Sequence, residues 1–540
     1  MKKRLPGNNL PVSCLAVAAC LLLHSCMKDN FDFNKLASSE WKPDIALPLV
    51  KSSLSVKDLV NKVDTGGFVS EDANHFLTVI YQGLLNSPAA NDLFPIPTSS
   101  IIIQSSLSAA EVTQLQSGST VNQPYSGTID MGFPTGVVID TIRLKSGTFN
   151  LSISSDFQQN AQIILTFPAM KKNGLPFVQT IPVTYTGSPI NINTNYDLTG
   201  YSMDFTGGGS SNKLPYDMQV SFNYISGNPV STSEMMSVGL SFTDIKFSYI
   251  DGYLGQLPFA LKPDSFEVAF FKSLSGTISL ADPKLKINIS NSFGLPIQIN
   301  YVYLDANTKS GGLMPVTSSY LPGPFVFNYP TFAQIGQTSL TNFLIDKNSS
   351  NLTSIIAASP TQITYSVSAT SNPNGNIANN FMTDSSKFDI NMVVEIPLWG
   401  TAANFAFTDT MDFSFGTVDE IEWVLIKLNI NNGLPLDAGV QVYCTDTLYN
   451  KLDSLIVPYD LLIKSGITDV NGKVIQATNK ATEIKIDSSR MTRLADTKKL
   501  LIQANMATYQ SGTTPVKIHS TDKIDVKLSA RAQLKIKIKK

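Results

Sequence analysis

From Ile524 to Ile538 every second residue is apolar, through Val526, Leu528, Ala530, Ala532, Leu534 and Ile536. Between them stand Asp525, Lys527, Ser529, Arg531, Gln533, Lys535 and Lys537. Only a β-strand sends alternate residues to opposite faces, so this stretch can bury its apolar set in a sheet and in no helix. Fully extended it would reach about 50 Å, beyond an ordinary strand, so a bend or a division between two sheets is expected. Outer-membrane barrel strands alternate as well, but here the polar face is cationic. A sandwich strand with a basic solvent face is therefore expected.

The same alternation recurs upstream, in three copies. Phe149–Ile153 is followed by a polar turn and then Ala161–Leu165. Leu285–Ile289 leads through Ser290–Pro296 to Ile297–Tyr301, and Ile426–Ile430 leads through Asn431–Pro435 to a strand holding Val440 and Val442. Taking Leu151, Ile287 and Leu428 as equivalent gives steps of 136 and 141 residues. A Gly-Thr-apolar lead-in precedes each copy, at Gly127, Gly276 and Gly416, and two turns contain Gly-Leu-Pro. Read as strand, tight turn and strand, each copy is expected to be a hairpin inside a repeated β module. Ahead of the repeats, residues 41–125 are mixed. Capping-box spacing at Ser55-Val56-Lys57-Asp58 and at Ser108-Ala109-Ala110-Glu111 predicts two short helices. Phe76–Tyr81 between them reads as a strand.

A chain of 540 residues exceeds one core, and several domains are expected. Charged residues are only 15 % of it, with 40 basic against 42 acidic side chains, which leaves no electrostatic footprint for nucleic acid. The cysteines are Cys14, Cys20, Cys26 and Cys444. Cys444 stands alone far downstream, in Val442-Tyr443-Cys444, so it reads as a buried small hydrophobe and the modules must be held by their cores.

The first residues set the address. Met1-Lys2-Lys3-Arg4, the apolar run Val12–Leu23 and then Leu23-His24-Ser25-Cys26 have the layout of a secretory signal, with an apolar part too short to span a bilayer. Leu23-His24-Ser25-Cys26 resembles the lipobox of bacterial lipoproteins, with His24 departing from the small residue usual there. The resemblance implies cleavage before Cys26 and acylation of its thiol, leaving 37 basic against 42 acidic side chains in the mature chain. Met27-Lys28-Asp29 loosely resembles the charged tether of Bacteroidota surface lipoproteins, which implies the outer membrane. The strand–turn–strand copies faintly resemble the sandwich domain of late-embryogenesis-abundant (LEA) proteins.

Nothing in the sequence announces a chemistry. His75 and His519 lie far apart, His519 on the polar side of an alternating stretch where a solvated side chain is expected. Gly-x-Ser-x-Gly, His-Glu-x-x-His and phosphate-loop patterns are absent. No catalytic residue, metal site or cofactor is expected. Flat rings can stack on sugar faces, and Trp399, Tyr253, Tyr320, Phe325 and Tyr329 are the candidate platform.

The expected fold is all-β: tandem β-sandwich modules, Ig-like or LEA-like, behind a lipoprotein signal peptide. The expected division is a signal at 1–25, a lipidated tether at 26–40, a mixed region with short helices at 41–125, and modules at 126–265, 266–405 and 406–540. The expected role is a lipid-anchored envelope protein, not an enzyme, that binds or supports. Its expected partners are the membrane through Cys26 and a glycan or envelope protein, with no nucleic acid. The rival readings are a glycan-binding lipoprotein of a nutrient-uptake system and a β-sandwich hydrolase.

Overall fold

The computed structural model describes residues 40–55, 67–187, 189–207, 211–273, 276–414, 420–457 and 460–537. The signal peptide, Cys26, the helix expected from Ser55, and the Gly416 lead-in lie outside them. Strand accounts for 59 % and helix for 8 %, so the protein is all-β as the alternation requires. Among the described residues no helix is long and apolar enough to cross a membrane.

The N-terminal segment supplies β1 (Glu40–Trp41), β2 (Asp44–Ser55), β3 (Leu77–Asn86), β4 (Ser99–Ser105) and helix α1 (Ala109–Gln116). The first unit follows with β5 (Val138–Ser155), β6 (Asn160–Lys172), β7 (Lys213–Asn223) and β8 (Met236–Tyr253). The second holds β9 (Lys284–Asn291), β10 (Ile297–Thr308), β11 (Phe325–Val326), β12 (Ser339–Ile345), β13 (Pro360–Ser371), β14 (Asn380–Thr383) and β15 (Phe388–Pro397). After β16 (Trp399–Ala403) comes the third, with β17 (Ile421–Asn432), β18 (Leu436–Thr445), β19 (Leu461–Ile463) and β20 (Lys499–Thr508). It closes with β21 (Val516–Lys517), β22 (Lys523–Leu534) and β23 (Ile536–Lys537).

The copies seen in the sequence are not hairpins. In the second unit β9 pairs with β15 while β10 pairs with β13, in a different sheet. In the third, β17 pairs with β22 while β18 pairs with β20 in the facing sheet. In the first, β5 pairs with β8 and β6 with β7. In the second and third units the polar turn therefore carries the chain from one sheet to another, while in the first both strands belong to one large sheet and the short strand Ser202–Asp204 pairs with each of them. The reason is visible at the corners. Ser155, Asn291 and Asn432 are each buried, and each side chain accepts the N–H of the residue two positions on, at 3.2, 3.0 and 3.0 Å. That residue is a buried apolar anchor, Phe157, Phe293 or Leu434. A short polar side chain that bonds the backbone two residues ahead makes a compact bend without a ladder partner. Asn432 also donates to the carbonyls of Leu436 and Lys464, so the third corner is tied on both sides.

Residues 41–125 do not stand apart as a region of their own. Three of their strands go one to each unit, in reverse order: β4 pairs with β8, β3 with β15, and β2 with β22. Each completes the sheet that holds the first strand of the copy. Helix α1 has the expected capping box, Ser108 and Glu111 bonding each other's backbone N–H. The terminal alternating stretch divides as its length required. The strand β22 lies between β2 and β17, and β23 pairs separately with β1. Lys527 and Arg531 are exposed, Arg531 bonding Asp44 across the pair, while Ile524 and Val526 pack against the lower core.

Two outcomes follow. Asn432→Ala should cost about 2–4 kcal/mol in chemical denaturation, because one N–H and two carbonyls lose their partner at a buried corner. The fragment 406–540, which lacks β2, should show a cooperative thermal transition only when residues 40–55 are supplied in the same chain. Cooperative folding of the bare fragment would contradict the pairing described for β22.

Candidate functional site

The structure gathers part of the expected aromatic platform. Tyr320, on the loop leading to β11, is 42 % exposed, and its ring lies 5.7 Å from that of Phe343 in β12. Phe343 in turn lies 4.8 Å from Phe325 in β11, and Phe325 lies 6.1 Å from buried Tyr301. Strand β12 is the edge of its sheet and β11 hangs on the edge of the facing one. The rings thus stand where the second sandwich opens to solvent, with Tyr301 fixing the inner end through its N–H to the Pro322 carbonyl. Phe343 escaped the sequence analysis. Its signal was the alternation of Ser339–Ile345, legible as a strand but not as the partner of a loop twenty residues away.

The other candidates go elsewhere. Tyr329 is exposed but joins no ring pair among the described residues. Tyr253 is buried at the end of β8, because the last residues of that strand turn both faces into the protein, and it cannot serve as a platform. Trp399 lies in β16, where the ammonium groups of Lys517 and Lys347 sit 4.9 and 5.5 Å from its ring centre. Those contacts occupy the ring at the joint between the second and third units.

A second cluster was not foreseen, because its members are scattered from Asp140 to Phe381. Asp251 in β8 has an oxygen buried without a hydrogen bond, and burial, then the charge of Asp140, raises its affinity for a proton. Tyr249 beside it is covered by the Arg143 guanidinium at 4.9 Å and stacks on Phe381 at 6.4 Å. Phe381 belongs to β14, which joins the second unit to β8, and its ring lies against the bare backbone of Gly294. Asp140 accepts from the Asn379 carboxamide across this joint, while Asp204 accepts from Thr206 in a local turn.

At the other joint, His519 is buried, not solvated as its alternation implied. Residues 516–520 are stitched between β16 and the start of β3: Leu77 donates to the Ile518 carbonyl, Ile518 to Leu398, and Ser520 to His75. The His519 ring lies tilted against Phe76, its Nδ1 without a hydrogen bond and 3.8 Å from an Asp522 oxygen that accepts the His519 backbone N–H. Burial, and then the nearby Lys473 ammonium, lowers the imidazole's affinity for a proton. Burial pushes the Asp522 carboxyl up to about 6. Cys444 is fully buried, and burial pushes its thiol up to about 11, which makes it the inert apolar side chain expected of it. Among the described residues no group of three or more metal-ligating side chains converges.

No protein-family model matches the chain, and no curated protein matches it. Among solved structures, a Parabacteroides distasonis protein described as secreted is similar over 53 % of this chain and 88 % of its own, at 14 % identity and a TM-score of 0.30. The VP2 subviral particle of infectious bursal disease virus is similar over 89 % and 86 %, at 9 % identity and a TM-score of 0.14. Likeness at this level says nothing about what the chain binds or does.

The Asp522 carboxyl protonates near 6 when folded and near the ordinary 3.8 when unfolded, so the native state binds the extra proton between those values. Its contribution to stability is present at low pH and is lost as pH rises through 6. Asp522→Asn, which mimics the neutral acid, should therefore stabilise the protein at pH 7.5 by up to about 3 kcal/mol and progressively less as pH falls below 6. Parallel denaturation curves of the two proteins check this; an advantage independent of pH would contradict it. Phe343→Ala should cost about 2 kcal/mol, less than a fully buried Phe, because its ring is only half covered.

Proposed function

We propose that this chain is a lipid-anchored protein of the outer membrane with a non-catalytic binding or structural role. The observation that carries the reading is where the tether enters the fold. Residue 26, the candidate acyl cysteine, precedes Glu40 by fourteen residues, a reach of about 50 Å at full extension. The chain then runs straight into β1, which pairs with β23, and β2, which pairs along the whole of β22. A pull on the anchor is thereby spread over a complete strand ladder in the third unit. The third unit is the one nearest the membrane, and the first and second project outward. The half-exposed rings of Tyr320, Phe343 and Phe325 lie on a projecting unit, which favours glycan binding as the second reading.

The test is Cys26→Ala. Metabolic labelling with a clickable fatty acid should disappear, and the protein should leave the membrane fraction with its melting temperature unchanged. A variant that stays lipid-labelled or membrane-bound would end the proposal.

A further inference from the structure

The third unit carries a concavity apart from the aromatic cluster and the two joints described above. It has a volume of about 290 Å³ and lies on the outer side of β18 and β20, walled by β19 and by residues 403–404 and 511. Its floor is Gly439, in the middle of β18 between Leu462 and Asn505. Glycine inside a strand weakens it and is kept where a backbone or a ligand comes close. Here no backbone demands it. A Cβ at 439 would stand 3.7 Å from a Leu462 methyl and 3.9 Å from the Asn505 carbonyl, both ordinary contacts. The missing side chain leaves space and nothing in the protein fills it.

The rim supplies a second, independent sign. Asn404 and Ser511 both hold left-handed backbone, with φ of 55° and 59°. Non-glycine residues in that region carry strain, which structures tend to retain at binding sites. The strained Ser511 N–H is spent on Asp437, whose carboxylate also accepts the Ser465 N–H at 2.8 Å. Asp437 is so held as a fixed anion in the wall. The carboxamides of Asn404 and Asn505 and the Lys464 ammonium line the same space, with no hydrogen bond or ion pair among the described residues.

We propose that this concavity binds a single sugar residue, such as the exposed end of a glycan. The inference rests on the binding reading above. Two carboxamides offer donor and acceptor side by side, which suits neighbouring hydroxyls that both give and take hydrogen bonds. Asp437 accepts and Lys464 donates at the ends of the set, and Leu462, 64 % exposed, offers an apolar surface to the C–H face of a ring. The space admits one small ring and excludes a protein side or a helix.

The experiment is saturation-transfer NMR on the full mature chain with glucose, galactose, mannose and N-acetylglucosamine, each at about 10 mM, the range of weak single-ring contacts. At least one sugar should receive saturation. Gly439→Leu should weaken that binding tenfold or more without moving the melting temperature, and Asn505→Ala should weaken it too, which carries the test if the leucine variant does not fold. Tyr320→Ala should leave it unchanged. Absence of transfer to all four sugars overturns the proposal, as does transfer that survives both substitutions in the concavity. Transfer lost in Tyr320→Ala but kept in Gly439→Leu overturns this site while sparing the binding reading, because the sugar then sits on the aromatic surface.

Discussion

Three antiparallel pairings hold the architecture together: β2 on β22, β3 on β15 and β4 on β8. Each repeated unit leaves one sheet an edge short, and an open edge is both unstable and prone to wrong pairing. The N-terminal segment supplies all three missing strands as it runs along the row of units. Arg531 with Asp44, and Lys42 with Glu422, fasten its first part from the side. These contacts join residues more than a hundred positions apart, so their loop-closure cost is high.

Within each unit the decisive local element is the polar corner. Ser155, Asn291 and Asn432 bury a polar side chain at a place where an apolar residue would fit the volume but leave backbone groups unpaired. The following Phe157, Phe293 or Leu434 is then buried in the core. This explains why three copies with little common sequence share one geometry.

The units are joined by backbone bridges reinforced with buried side chains. The pairing of β14 with β8, with Phe381 stacked on Tyr249, joins the second unit to the first, and the 516–520 segment around His519 joins the third to the second. Charge is scarce throughout, and most ion pairs are exposed and worth little. A chain built this way draws its stability from cores and ladders. Its surfaces remain free to carry neutral polar and aromatic groups.

Periodicity alone determined that the chain is all-β, that Leu285–Ile289 and its equivalents are strands, that Ser108 starts a helix and that the last strand divides. These depend on residues within ten positions of each other, where side-chain alternation and caps act directly. Only the tertiary structure decided that the strand pairs are corners and not hairpins, since the same turn residues serve both. It alone assigned the N-terminal strands to their units, buried His519 and Tyr253, and brought Phe343 to Tyr320 and Phe325. Burial is a property of what packs on a residue from far along the chain, and alternation records only which side faces in. Gly439 makes the same point: in the sequence it is one weak strand position, and in the fold it is the floor of a concavity.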